Sequence, residues 1–133
     1  MSQENVEAFK RAFEAGNHQD VEALLAELHP DVEWHAAFPM LGGDAVYRGH
    51  EGVREFLSEV WEVLADTQLE FREIRGVGDQ VVAVGHFRGR GKGSGVEAET
   101  PFAYVVDFRG GKAIRVRSYL DPKEALEAAG LSE

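Results

Sequence analysis

The feature that most constrains the fold is a series of four strand-like segments in the second half of the chain. They cover residues 67–76, 80–90, 96–108 and 112–120. Gly110-Gly111 lies between the last two as a two-residue hairpin signal, and a similar short turn separates the first two. Because consecutive strands with short turns pair antiparallel, the sequence predicts a four-stranded antiparallel meander.

The first half of the chain is predicted to contain three helices, since apolar residues recur there at helical spacing. The first helix covers roughly residues 3–15, and the third runs from about residue 50 to 64. Gly16 is expected to end the first helix, and Asn17 to cap the second. Pro30 is expected to stop that second helix.

Two further strands and a short last helix complete the predicted elements. Residues 31–36 alternate between apolar and polar, and a short strand is predicted at 46–48. Asp121 and Pro122 supply an N-cap and a first-turn proline for a short C-terminal helix. Helices with one apolar stripe, packed on one side of an antiparallel sheet, give an α+β fold. With no repeat or linker, residues 1–133 are expected to form a single domain.

Composition excludes several classes of function. The chain has 133 residues, a net charge of −10 and no cysteine, so disulfides and cysteine-based metal sites are excluded. A chain this acidic would be repelled by nucleic acid, and no nucleic-acid partner is expected. No apolar run is long enough for a membrane span, and residues 1–4 do not resemble a signal peptide, so a cytoplasmic location is expected. No histidine pair has metal-ligand spacing, and we expect neither a metal nor a cofactor.

Six short segments along nearly the whole chain carry a resemblance to a known family. They are Ala12–Gly16 with Asp20–Leu25, His29–His35, Tyr47–Val53, Phe108–Lys112 and Arg117–Asp121. With these motifs the chain resembles the SnoaL-like polyketide cyclase family, within the ketosteroid isomerase and nuclear transport factor 2 superfamily. The resemblance implies a curved antiparallel sheet wrapped around three N-terminal-half helices, cone-shaped with an internal pocket. It also implies a homodimer through the outer sheet face.

Strand alternation predicts which side chains face that pocket, because every second residue of a strand points to the same side. The apolar sets of the last two strands should face the helices, with Tyr104 and Ser118 as polar groups in an apolar wall. The first strand and the third helix are expected to add large aromatic rings. The predicted wall therefore consists of Trp34, Phe56, Trp61, Phe102, Tyr104, Val116, Ser118 and Leu120. Ordinary core packing is the alternative interpretation.

The resemblance argues against the chemistry of ketosteroid isomerase itself. That reaction needs a carboxylate base and an oxyanion hole made of a tyrosine and a protonated carboxyl group. In this chain the three corresponding positions fall on Ala36, Phe9 and Tyr104, none of which matches. His35, beside the base position, and Tyr104 remain candidates for proton transfer, although alternation turns His35 away from Trp34.

The direction of His50 and of His86 stays open at this point, as does that of His35. The sequence leaves three functions to be weighed against each other. The first is an isomerase or cyclase that works by proton transfer on a small apolar or aromatic substrate. The second is a non-catalytic module that binds such a molecule, and the third is a protein-interaction module that uses the outer sheet face.

Overall fold

The computed structural model of the chain describes residues 2–37 and 46–131. Its helices are α1 (Ser2–Asn17), α2 (Val21–Ala26), α3 (Gly49–Val63) and α4 (Pro122–Ala128). Its strands are β1 (Leu28–His35), β2 (Val46–Arg48), β3 (Leu64–Val77), β4 (Gln80–Gly91), β5 (Glu97–Arg109) and β6 (Lys112–Tyr119). The expected α+β class is confirmed, with three helices in the N-terminal half and a short helix at the end.

The six strands form one curved, unclosed sheet in the order β2-β1-β6-β5-β4-β3. Strands β3 to β6 pair antiparallel as the predicted meander. The junction between β1 and β6 is parallel, which the sequence analysis did not foresee. This pairing joins the N-terminal half to the meander, and it brings Trp34 of β1 beside Val116 of β6.

Helices α1 to α3 cover the inner face of the sheet. Alternate residues of β5 on that face, from Phe102 to Phe108, share one buried cluster with apolar residues of α1, α2 and α3. Burial of these side chains is the main favourable contribution to the stability of the fold, at about 25 cal/mol per Å² of apolar surface.

Helix α4 packs on the opposite, outer face, a placement that the sequence left open. Ala125 of α4 is fully buried against Val82, Val84, Ala103 and Val105. Consecutive residues of β4 from Val81 to Val84 are apolar because both faces of this strand are covered. As predicted, Asp121 caps the helix by accepting a hydrogen bond from the Lys123 N–H at 2.9 Å.

The junction between α1 and α2 differs from the predicted one. Helix α1 continues past Gly16 to Asn17, and the left-handed residue is Gln19, with φ at 57°. Asp20 caps α2 instead of Asn17 by accepting a hydrogen bond from Ala23 N–H. The amide of Asn17 is thereby left to bind another part of the chain.

The start of β1 differs from the predicted one as well. Helix α2 ends at Ala26, and β1 begins at Leu28. Pro30 therefore lies within the strand and does not terminate the helix. The irregular register of β1 against β6 between Leu28 and Glu33 allows this early start.

Gly85 of β4 lies where the backbone of β3 comes unusually close. A Cβ atom at this position would lie 1.9 Å from the Glu70 carbonyl oxygen and 2.6 Å from the Phe71 Cα. The register of β3 against β4 shifts immediately after Phe71, as in a β-bulge. Bulges bend a strand, and this one lets β3 curve over the helices. Gly85 is therefore needed for the close approach and not for an unusual backbone angle.

We predict that Gly85→Ala destabilises the protein by about 3 kcal/mol, because the new methyl group overlaps backbone atoms that cannot move independently. Gly93→Ala is the matched control. No atom lies within 4 Å of its Cβ position, and its expected effect is within about 0.5 kcal/mol. Urea unfolding midpoints measure both variants. Equal midpoints for the two would contradict this account of the sheet's curvature.

Candidate functional site

An apolar cavity of about 100 Å³ lies between the inner face of the sheet and helices α1 to α3. Helix α1 contributes Ala8, Phe9, Ala12 and Phe13 to its wall, and α3 contributes Phe56, Leu57, Val60 and Trp61. The sheet contributes Trp34, Leu69, Phe87, Tyr104, Val106 and Val116. The wall is thus built from aromatic and aliphatic side chains, which is the usual composition of a small-molecule site.

The structure brings five of the eight predicted wall residues together around this cavity: Trp34, Phe56, Trp61, Tyr104 and Val116. The other three lie elsewhere. Phe102 is 1% exposed and packs edge-on against Tyr104, within the core behind the wall. Ser118 and Leu120 are partly exposed and do not line the cavity, although Ser118 pairs with Tyr104 across β5 and β6.

Tyr104 lies at the centre of an aromatic cluster. Its ring centroid is 6.0 Å from those of Phe9, Trp34 and Phe71, which belong to α1, β1 and β3. No residue in 2–37 or 46–131 forms a hydrogen bond with its hydroxyl. Burial raises the pKa of the phenol well above its usual range. The Tyr104 hydroxyl is therefore a neutral, unpartnered hydrogen-bond donor in the cavity wall.

Trp34 supplies a second polar group without a partner. Its indole Nε1 is buried and makes no hydrogen bond within the described part of the chain. The whole side chain is 7% exposed and stacks against Phe56 and Tyr104. A buried donor left unsatisfied costs about 1–3 kcal/mol. Such groups are rare in folded proteins, and each one needs an explanation.

The remaining uncharged polar residues of the wall form hydrogen bonds with side chains or with the backbone. Trp61 Nε1 donates to Thr67 Oγ1 at 3.2 Å. The Asn17 amide donates to the Leu69 carbonyl oxygen at 2.9 Å and accepts from the Leu69 N–H at 2.8 Å. Gln68 Nε2 donates to the Asn17 carbonyl oxygen. These bonds tie the end of α1 to the start of β3, on one side of the cavity.

Glu27 is the one charged residue on the cavity wall among the residues that the structure describes. Its carboxylate accepts two hydrogen bonds from the Arg11 guanidinium, at 2.9 and 3.1 Å. This bidentate geometry holds the carboxylate toward Arg11, whose side chain is largely exposed. Glu27 is consequently engaged outside the cavity in this structure.

The histidines lie away from the cavity. His35 lies on the other side of β1 from Trp34, and its Nε2 donates to Glu33 at 3.3 Å. The register irregularity of β1 ends before Glu33, so normal alternation turns His35 outward. His50 Nε2 donates to the Leu28 carbonyl oxygen at 3.0 Å, and His86 is exposed on β4. His35 is therefore not among the described residues that line the cavity.

Several wall residues were not foreseen from the sequence. The small and aromatic residues of α1, such as Ala12 and Phe13, could have been found from the apolar stripe of that helix. Phe9 belongs to the same stripe and to a replaced catalytic position, but it was not predicted as part of the wall, to which its ring contributes. Glu27, Asn17 and Gln68 carried no signal, because their positions depend on how α1, α2 and β3 meet.

Two negative findings apply to residues 2–37 and 46–131. No three histidine, aspartate or glutamate side chains lie close enough together to hold a metal ion. No helix there has both the length and the apolar character that a bilayer crossing requires.

Solved structures with the same fold include proteins of several kinds. An NTF2-like protein of unknown function from Burkholderia pseudomallei is 27% identical, with a TM-score of 0.81 over 96% of this chain and 97% of that one. TerC, co-crystallised with polyporic acid, is 32% identical, with a TM-score of 0.79 over 93% of this chain and 96% of that one.

A third structure is similar in fold alone. It is a protein from Catenulispora acidiphila with a ketosteroid isomerase-like fold, in complex with trimethylamine. It is 19% identical, with a TM-score of 0.76 over 95% of this chain and 94% of that one.

A comparison with curated proteins gave no significant match. Residues 7–116 match the family described as the SnoaL-like domain. This span contains all of α2, α3 and β1 to β5, and with them most of the cavity wall. This family match agrees with the 32% identity to TerC over almost the whole chain. The chain belongs to the SnoaL-like domain family.

Proposed function

We propose that this protein binds a small apolar or aromatic molecule in the cavity between its sheet and helices α1 to α3. The observation that carries the proposal is an aromatic cavity of about 100 Å³ whose wall contains the buried Trp34 Nε1, which has no hydrogen-bond partner in the described part of the chain. An apolar cavity of about 150 Å³ is enough to hold benzene. The cavity here has about two-thirds of that volume, so it would enclose a single ring only in part, with the rest of the ligand toward solvent.

The exposure of the wall residues suggests where such a ligand enters. The partly exposed members of the wall include Phe13, Asn17, Trp61, Gln68 and Leu69. They come from the later turns of α1, the end of α3 and the start of β3, so the cavity approaches solvent there. The Trp34 and Tyr104 side chains, by contrast, are buried. A ligand entering from this side would reach Tyr104 at the inner end.

Binding without catalysis is better supported than proton transfer. A catalytic base must reach the proton that it removes. His35 faces away from the cavity, and Glu27 is engaged by Arg11. Tyr104 has its pKa raised by burial, so it remains a protonated donor at neutral pH. An isomerase or cyclase of this design would have to release Glu27 from Arg11 before that carboxylate could act.

The neighbours in fold agree with a small-molecule role. TerC was co-crystallised with polyporic acid, and a more distant neighbour was crystallised with trimethylamine. TerC is 32% identical to this chain, which makes it the more informative of the two. The shared feature that we transfer to this chain is the presence of a ligand, not the identity of either molecule.

An interaction module that uses the outer sheet face is less well supported. The apolar side chains on the outer face of β4 and β5 are covered by α4. Toward the ends of these strands the surface carries ion pairs, such as Arg88 with Glu70 and Arg115 with Asp107. A homodimer through this face, which we also retain as a proposal, would have to include α4.

Intrinsic fluorescence tests the proposed binding directly, because both tryptophans of the chain line the cavity. We expect toluene to change the emission of Trp34 and Trp61 saturably. Ala12→Phe, which fills the cavity, should weaken binding by at least about tenfold, or 1.4 kcal/mol. Lys10→Phe adds the same ring to an exposed position of α1 and should bind like wild type. Unsaturable emission, or equal affinity in both variants, would contradict the proposal.

The neutral state of Tyr104 predicts how stability depends on pH. Its pKa is raised in the folded state, so its stabilising contribution is complete below about pH 10, the pKa of an unperturbed tyrosine. Above that pH the unfolded chain ionises first, and folding should lose up to about 1.4 kcal/mol per pH unit. Urea unfolding midpoints at about pH 8 and about pH 11 measure this loss of stability.

Tyr104→Phe should remove this part of the alkaline loss. Tyr119→Phe, at a partly exposed tyrosine on the other face of the sheet, should leave it in place. An alkaline loss that is the same in wild type and Tyr104→Phe would mean that Tyr104 ionises freely in the folded protein.

A further inference from the structure

Two hydrogen-bond donors on the cavity wall lack partners, and they are neighbours. One is Trp34 Nε1 and the other is the Tyr104 hydroxyl. Their ring centroids are 6.0 Å apart, with the planes at 79° in an edge-on arrangement. The two side chains come from β1 and β5, on either side of β6, where Trp34 pairs with Val116 and Tyr104 with Ser118.

Trp34 and Tyr104 differ from the other uncharged polar residues of the wall, which already have hydrogen-bond partners. Trp61 is a second tryptophan of the same wall, yet its Nε1 already donates to Thr67. The Asn17 side chain bonds to the Leu69 backbone, and the Gln68 side chain donates to the Asn17 carbonyl oxygen. Within the described part of the chain, the unsatisfied hydrogen-bonding capacity of the wall is therefore concentrated at Trp34 and Tyr104.

The chemistry of these two groups limits what could satisfy them. An indole N–H can only donate, and a phenol that is held neutral donates readily. A group that suits both must accept hydrogen bonds, as a carbonyl oxygen does. No cationic side chain lines the cavity among the described residues, and the carboxylate of Glu27 is already held by Arg11. A charged ligand would remain uncompensated there, at a large cost in desolvation.

We propose that the cavity selects an uncharged aromatic molecule bearing a carbonyl-type oxygen, and that this oxygen accepts hydrogen bonds from Trp34 and Tyr104. The inference rests on the proposed ligand-binding function and adds the class of ligand. The aromatic wall supplies the apolar contact, and the two donors orient the ring with its oxygen toward the sheet. Both donors would then be satisfied only in the complex.

Benzaldehyde and styrene form a matched pair of probes, since they have the same number of heavy atoms and the same planar shape. Only benzaldehyde carries an acceptor oxygen. We expect calorimetry to give wild type an affinity for benzaldehyde about three- to tenfold above that for styrene, the range of one net hydrogen bond. Benzoate, which is charged, should bind more weakly than either.

Variants identify the donors. Tyr104→Phe removes only the hydroxyl, and it should abolish the preference for benzaldehyde while keeping the affinity for styrene. Trp34→Phe should reduce the preference as well. Trp61→Phe is the matched control, because it removes an indole whose N–H is already used, and the preference should persist.

Indole N–H signals in a ¹⁵N correlation spectrum give an independent measure. The chain has two tryptophans, so two signals are expected, and Trp61→Phe assigns them. Benzaldehyde should shift the Trp34 signal downfield, and styrene should not.

The results separate the two proposals. If neither probe binds, the proposed ligand-binding function is wrong. If both bind with equal affinity, or the preference survives in Tyr104→Phe, the cavity binds aromatic molecules but this inference is overturned. Circular dichroism of each variant confirms that a lost preference does not reflect loss of the fold.

Discussion

The close approach of β3 to Gly85 is the constraint on which the rest of the structure depends. A side chain at this position would overlap the backbone at Glu70 and Phe71. Because there is none, β3 can bend inward at its bulge, and Phe71 reaches Phe9 and Phe13 of α1 at 5.3 and 5.0 Å. The curvature of the sheet and the aromatic closure of the cavity are therefore consequences of the same contact.

Curvature also explains why the two faces of the sheet have different partners. The concave face encloses α1 to α3, and its side chains cannot fill the space completely, which leaves the cavity. The opposite face of β4 and β5 carries the small apolar residues Val82, Val84, Ala103 and Val105, and the seven-residue helix α4 is enough to cover them. Because the chain covers this face itself, a partner on this side would meet α4 and the charged strand ends.

The sequence predicted most of the elements and part of the site, for reasons that differ between residues. The signals for α3, α4 and the meander are local, so spacing, capping and turn residues were sufficient. The end of α1 was missed because Gly16 usually marks a helix end, whereas here Gln19 takes the left-handed conformation. The parallel pairing of β1 with β6 has no local signal, since the two strands are far apart in sequence.

Side-chain direction was predictable, but hydrogen-bond satisfaction was not. Alternation placed Trp34 and Tyr104 on the inner face, and the structure has both at the cavity. Whether their donors find partners depends on every surrounding element, and no pattern within one strand reports it. The two tryptophans illustrate this: the Trp61 indole donates a hydrogen bond to Thr67, whereas the Trp34 indole has no partner among the described residues. These two unsatisfied donors, in a cavity without the catalytic groups of ketosteroid isomerase, are the reason that we propose recognition of a ligand and not that reaction.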